Sequence, residues 1–174
     1  MIKEKVLDAI NSQINAEIHS AYLYLSMAAY FKSVNLEGFA AWMNVQVEEE
    51  LEHAGKFYNF VHQRGGKVIL TAIEGPKTEW PSPREAFEDA LKHEQYITSR
   101  INDLVDVALA EKDHATHIFL QWFVTEQIEE EDNVGGVLEK IKMLEGAKGG
   151  LFMLDRELGQ RGASGSAAAD EAEA

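Results

Sequence analysis

The sequence predicts an all-α protein: a four-helix bundle with one long crossover between its second and third helices, a short fifth C-terminal helix and a disordered acidic tail. Three observations predict it. The only prolines, Pro76, Pro81 and Pro83, crowd into one short stretch and leave long proline-free arms on both sides. Along those arms apolar residues recur at alternating three- and four-residue steps, the spacing of helices packed nearly parallel. Start and stop residues stand where four long helices need them.

The first helix is expected at about 5–34 and the second at about 37–64, with Gly65-Gly66 closing the second as glycine does at helix ends. The third is expected at about 83–111, where Ser82, Pro83 and Glu85 supply a capping box and a proline at the first helical position. The fourth is expected at about 114–145 behind Asp113 as N-cap. Very short links join the first helix to the second and the third to the fourth, so each pair is an antiparallel hairpin. The connection over 65–82 is long and carries a strand-like run, Lys67-Val68-Ile69-Leu70-Thr71. About 18 extended residues reach ~60 Å, whereas a helix of about 28 residues spans ~42 Å. The connection can therefore cross the bundle and leave the second and third helices parallel. Gly135-Gly136 inside the fourth helix should cost ~2 kcal/mol against alanine and points to a kink there. Leu151–Leu158 reads as the short fifth helix and residues 162–174 as the tail, dividing the chain into a domain over 1–160 and a tail over 161–174.

Composition narrows the function. At 174 residues and 19.5 kDa, with 45% hydrophobic and 26% charged residues, the chain is one globular domain. The absence of cysteine excludes disulfide frameworks, thiolate zinc sites and cysteine-held iron–sulfur clusters. Sixteen basic against 30 acidic residues give a net charge of −14, which repels nucleic acid and anionic membranes and attracts cations. The most apolar stretch, Ala21–Phe31, is too short to span a bilayer. The first residues lack an apolar signal core, so a cytoplasmic location is expected.

The seams of the four helices can be written out. They run Ile10, Ile14, Glu17, Ala21, Tyr24, Ala28, Phe31 in the first and Phe39, Met43, Gln46, Glu50, His53, Phe57, Phe60 in the second. In the third they run Phe87, Ala90, Glu94, Ile97, Ile101, Leu104, Ala108, and in the fourth Leu120, Phe123, Gln127, Glu130, Val134, Val137, Ile141. A glutamate on one seam is ordinarily a snorkelling side chain or a mis-phased wheel, and runs such as Glu48-Glu49-Glu50 are ordinarily solvated. Here all four seams break at mid-helix. Burying one ionised carboxylate costs several kcal/mol, and four would rival the ~5–15 kcal/mol stability of a whole domain. The carboxylates must share cations, or hold protons and water when the site is empty, and a metal is the economical answer.

Glu50-x-x-His53 sets a carboxylate and an imidazole one turn apart on one face. With carboxylates from the other helices this is a hard, oxygen-rich site with one nitrogen donor. Iron or manganese suit it, zinc is an alternative and thiophilic metals do not. The di-iron template of four-helix bundles uses one Glu from each of two helices and Glu-x-x-His from each of the others. Glu17, Glu50/His53 and Glu94 meet it, while the fourth helix carries Gln127-x-x-Glu130 in place of Glu-x-x-His.

The phrases NAEIHSAYLYLSMA, EEELEHAGKFYNFV and FLQWFVTEQIEEE resemble the first, second and fourth helices of the prokaryotic non-haem ferritins, a likeness that extends over about residues 4–160. The resemblance implies a ferritin-like di-iron bundle and a hollow iron-storage cage, usually of 24 chains, that oxidises Fe(II) with dioxygen and deposits Fe(III) as mineral. It implies one iron on Glu17, Glu50 and His53, and a second on bridging Glu50 with Glu94 and, nearby, Gln127 and Glu130. It implies a third iron site at Glu49, Glu126, Glu129 and Glu130, a tyrosine beside the centre at Tyr24 and a nearby tryptophan at Trp122. Haem-binding relatives carry methionine where this chain has Glu52, so no haem is expected. His19, His62, His93, His114 and His117 read as surface or packing residues, and Gln46 as a packed, hydrogen-bonded amide.

Three other readings stay open. A di-iron oxidase acting on a small substrate would store nothing, and its rubredoxin-bearing version needs cysteines that are absent. A DNA-protecting mini-ferritin would place its iron between subunits and favour a basic tail. An acidic helical bundle docking a protein partner would leave the four seam breaks unexplained.

Overall fold

The computed structural model describes residues 2–161, so the expected tail over 162–174 lies outside the described residues. The elements are α1 (Glu4–Ser33), α2 (Glu37–Gln63), α3 (Pro83–Ala110), α4 (His114–Leu144) and α5 (Gly150–Leu158), with no strand among the described residues. α1 pairs with α2 and α3 with α4, α1 also meets α3, and α5 lies against α2 and α4. This is the expected four-helix bundle with a short fifth helix.

The ends of the first three helices close in the same way. A residue in the left-handed region follows each C-cap: Asn35 (φ 59°), Gly65 (φ 70°) and Lys112 (φ 54°). The next amide then bonds back onto the last turn, Leu36 N to Phe31 O at 2.9 Å, Gly66 N to Val61 O at 2.9 Å and Asp113 N to Ala108 O at 2.8 Å. Lys112 takes this conformation without glycine's freedom, at roughly 1–2 kcal/mol. Ser82 Oγ accepts from Glu85 N at 3.3 Å and Asp113 from Thr116 N at 3.1 Å, so both expected N-caps are in place.

The strand-like run is not a strand. It has no partner strand, and α1 side chains satisfy its backbone instead: Asn11 bonds Lys67 O and Ile69 N, Asn15 bonds Ala72 O, and Ser26 bonds Lys77 O further along. The connection thus follows α1 from its first turns toward its C-terminal half. It delivers Pro83 to the end where α2 begins, which makes α2 and α3 parallel. α4 runs as one helix through Gly135 and Gly136, with no break at the expected kink.

All the seam positions named above are buried. They form two apolar clusters, one around Phe31, Phe39 and Phe87 and one around Ile10, Phe57 and Phe123. Between them lies a buried polar layer containing Glu17, Gln46, Glu50, His53, Glu94, Gln127 and Glu130.

α5 is fastened to α2 at one close approach. α2 has no side-chain cap of its own, and Asp155 Oδ1 of α5 accepts from Gly38 N at 2.8 Å and Phe39 N at 3.0 Å. A methyl group on Gly38 would stand 1.6 Å from the Asp155 carbonyl oxygen. Gly38→Ala is therefore expected to push α5 away, uncovering Leu154 and Leu158 and removing the cap. The cost is about 2–4 kcal/mol. A lowered melting temperature together with rapid proteolysis around residues 146–150 would show it. Unchanged melting would mean that the contact relaxes without cost.

Candidate metal centre

Each helix contributes to the layer from its seam. Glu17 comes from α1, Glu50 and His53 from successive turns of α2, Glu94 from α3, and Gln127 and Glu130 from α4; Glu126, off the α4 seam and only partly buried, borders the layer. Two three-residue groups bring ligand atoms within 4.8 Å of one another: Glu17, Glu50 and His53, and His53, Glu126 and Glu130. His53 belongs to both. Its Nδ1 lies 3.6 Å from Glu50 Oε2 and its Nε2 lies 4.0 Å from Glu126 Oε1.

The carboxylates are under strong electrostatic pressure. Burial, partly opposed by a hydrogen bond from Gln13, raises Glu17 to about 7. Burial, then repulsion from Glu94, Glu17 and Glu130, holds Glu50 well above the usual carboxylate range. Burial and Glu94 raise Glu130 to about 8, and burial also raises Glu94. The same desolvation lowers His53 to about 4, which keeps its imidazole neutral and able to donate a lone pair near pH 7.

Two buried oxygens, Glu17 Oε2 and Glu50 Oε2, have no N–H or hydroxyl partner, and the two carboxyls can bond only each other, when one of them holds a proton. Orphaned carboxylate oxygens at 1% exposure are costly to bury. Together with an adjacent neutral imidazole they make the donor set that a hard divalent cation would complete.

The other predicted residues are placed as follows. Glu94 joins neither three-residue group: the Tyr24 hydroxyl donates to its Oε1 and Gln127 Nε2 donates to its Oε2 at 3.2 Å. Tyr24 is fully buried, and burial and Glu94 raise its phenol well above the ordinary value. Glu49 pairs with Arg161 at 3.0 Å, and Glu129 is exposed and joins neither three-residue group, though its charge acts on both Glu49 and Glu126. Trp122 is 40% exposed and meets the His53 ring edge-on at 5.5 Å, so it packs on the centre. Glu52 turns outward to Lys56 at 2.7 Å. Of the remaining histidines, His93 bonds Ser20 at 2.7 Å and burial lowers it to about 4, a packing role within the α1–α3 contact.

Gln13, Ser20, Thr98 and Arg161 were not anticipated. Gln13 and Ser20 lie off the α1 seam, on the flank that faces α3. A polar residue one step from a seam glutamate is the only sequence signal that marks Gln13.

The family model of the ferritin-like domain matches residues 7–144, which span every residue of the layer. The chain belongs to the ferritin family. A non-heme ferritin of Bacteroides fragilis is 45% identical over 161 residues, 92% of this chain and all of that protein. A probable non-heme ferritin-like protein of Haemophilus influenzae is 38% identical over 91% of this chain and 96% of its own length. Among solved structures, an open pore ferritin of the hyperthermophilic archaeon Archaeoglobus fulgidus is 53% identical with a TM-score of 0.91, covering 92% of this chain and 99% of that one. No helix among the described residues of this ferritin is long and apolar enough to cross a membrane.

Proposed function

We propose that this ferritin stores iron: it takes up Fe(II), oxidises it with dioxygen within the bundle and deposits Fe(III) as an oxyhydroxide mineral inside a cytoplasmic cage, a homo-oligomer of 24 chains. The observation that carries the reading is the pair of unpartnered oxygens, Glu17 Oε2 and Glu50 Oε2, beside a neutral His53 in a layer sealed by apolar core above and below.

In this reading Fe(II) is the substrate. Glu17, Glu50 and His53 hold one ion. Glu50 is shared with a second ion, for which Glu94, Gln127 and Glu130 are the remaining donors. Each Fe(II) gives one electron to dioxygen, and the carboxylates offset the charge that iron gains. Their raised affinity for protons is part of this chemistry, because arriving Fe(II) displaces protons that the empty site holds. Gln127 is a neutral amide where the template has a glutamate, and so a weaker donor, which suits an ion that must leave. Glu126, with Glu49, Glu129 and Glu130, forms the acidic exit as a third iron site. Tyr24, bonded to Glu94, holds that carboxylate in place and is near enough to supply an electron. The net charge of −14 per chain, repeated around a closed shell, concentrates cations at the pores and the inner wall.

Aerobic loading with excess Fe(II), followed by size-exclusion chromatography with iron and protein measured in each fraction, tests the proposal. Iron far above about two ions per chain, travelling with a particle many times larger than the 19.5 kDa chain, is the expected result. Iron that stops at about two per chain on a small oligomer would replace storage with a di-iron oxidase activity. A protein that binds no iron would remove the metal reading altogether.

A further inference from the structure

Two fully buried glutamines flank the carboxylate layer with the same wiring. On α1, Arg100 Nε donates to Gln13 Oε1 at 2.9 Å, and Gln13 Nε2 donates to Glu17 Oε1 at 2.8 Å. On α2, Arg161 Nη1 donates to Gln46 Oε1, and Gln46 Nε2 donates to Glu130 Oε2 at 2.8 Å. A primary amide can turn either end toward a neighbour. A guanidinium can only donate, so it claims the amide oxygen and obliges the NH2 group to face the carboxylate.

The consequence is visible at Glu17. Its Oε1 is tied to Gln13, while its Oε2 is the partnerless oxygen among Glu50 and His53. An arginine in direct contact would pair the carboxylate as a salt bridge and set a full positive charge against an arriving cation. The intervening glutamine passes on orientation with little of that charge.

We propose that Gln13 and Gln46 are positioning residues, each locked by its arginine so that one oxygen of Glu17 and one of Glu130 are held out for metal. The proposal rests on the metal-binding reading of the layer. The two arginines are themselves fixed from outside the layer. Arg100 donates to Ser12 Oγ at 3.0 Å and to the Tyr96 hydroxyl at 3.2 Å. Arg161 pairs with Glu49 at 3.0 Å and lies 4.5 Å from the Trp42 ring centroid. Arg161 lies three residues beyond the end of α5, so the fastening of Asp155 on Gly38 and Phe39 also keeps the second relay in register.

The test is anaerobic titration of the assembled protein with Co(II), reading both affinity and the visible ligand-field bands. Wild type should bind stoichiometrically. Gln13→Met, close in volume but without the amide, should weaken binding by about 10–100-fold and shift the bands, and Gln46→Met should do the same for the ion nearer Glu130. Arg100→Met should give part of the Gln13→Met effect by freeing the amide to turn, and Arg100→Lys should restore it. Should Gln13→Met fail to assemble, Arg100→Met decides alone, since Arg100 is only partly buried. Variants that lose thermal stability yet keep wild-type Co(II) affinity and bands would overturn the proposal and leave the glutamines as packing. A wild-type protein that binds no Co(II) would instead overturn the metal reading beneath it.

Discussion

Replacing Glu50 by glutamine should abolish rapid Fe(II) oxidation and, at the same time, raise the melting temperature of the metal-free protein at pH 8. Both effects come from one atom. Glu50 Oε2 is buried without an N–H or hydroxyl partner, and His53 Nδ1 stands beyond bonding distance at 3.6 Å. Glu94, Glu17 and Glu130 all repel its charge. Glutamine keeps the shape, removes the charge and cannot serve as an anionic bridge between two ions. Supporting residues around metal sites typically contribute about 10–100-fold to affinity or activity, so loss of a shared ligand should cost on the order of 100-fold or more in the initial rate. Stopped-flow absorbance measures the rate, and calorimetry in the presence of a chelator measures the stability. Slow mineralisation at other acidic groups would survive the change. Wild-type fast oxidation with a lowered melting temperature would show Glu50 to be a structural residue and the centre to be elsewhere.

The opposite signs of those two effects explain why so much of the centre could be read from sequence. A packed core has no use for a glutamate, so an acidic residue held on a seam signals a conflict between stability and something else. Four such conflicts at one height located the layer, because helical spacing alone fixes which residues of α1–α4 share a level. The same spacing separates Glu130 from Glu129. One residue of phase, about a quarter-turn, carries Glu129 to solvent while Glu130 stays in the layer. Spacing says nothing about contacts made across great chain distance. The Arg161–Gln46 bond and the Asp155 cap on Gly38 each join residues more than a hundred positions apart. What the strand-like run in the crossover lies against was hidden for a related reason. Its β-branched residues favour an extended chain, but a single extended segment needs a partner, and the partner is a row of α1 side chains that no local pattern reveals. Likewise the Gly135-Gly136 pair does not interrupt α4, whose neighbouring Val134, Val137 and Leu138 are buried in the core.

Stability and metal affinity should respond to pH in opposite directions. Glu17 titrates at about 7 and Glu130 at about 8 in the folded, metal-free bundle, against roughly 4.3 for an unfolded glutamate. Between those limits the folded state holds protons that the unfolded state has released. Folding stability from these groups is complete below about pH 4.3 and is lost as pH rises through the folded values. In the presence of a chelator, and at fixed protein concentration, the melting temperature should therefore fall from pH 5.5 to 8. Cation binding runs the other way, because each displaced proton adds up to about a tenfold gain in apparent affinity per pH unit below the group's own value. His53 adds nothing to this slope, since it is already neutral above about 4. Anaerobic Co(II) titrations should tighten by up to about 100-fold between pH 6 and 7 if Glu17 and Glu130 each release a proton, and by more if Glu50, which is also held well above the usual carboxylate range, releases one as well. In Glu17→Gln the affinity should be lower throughout and the pH slope shallower by about one proton. An affinity flat from pH 6 to 8 would mean that Glu17 and Glu130 are already ionised in the empty bundle, and that their charges are compensated by some means other than held protons.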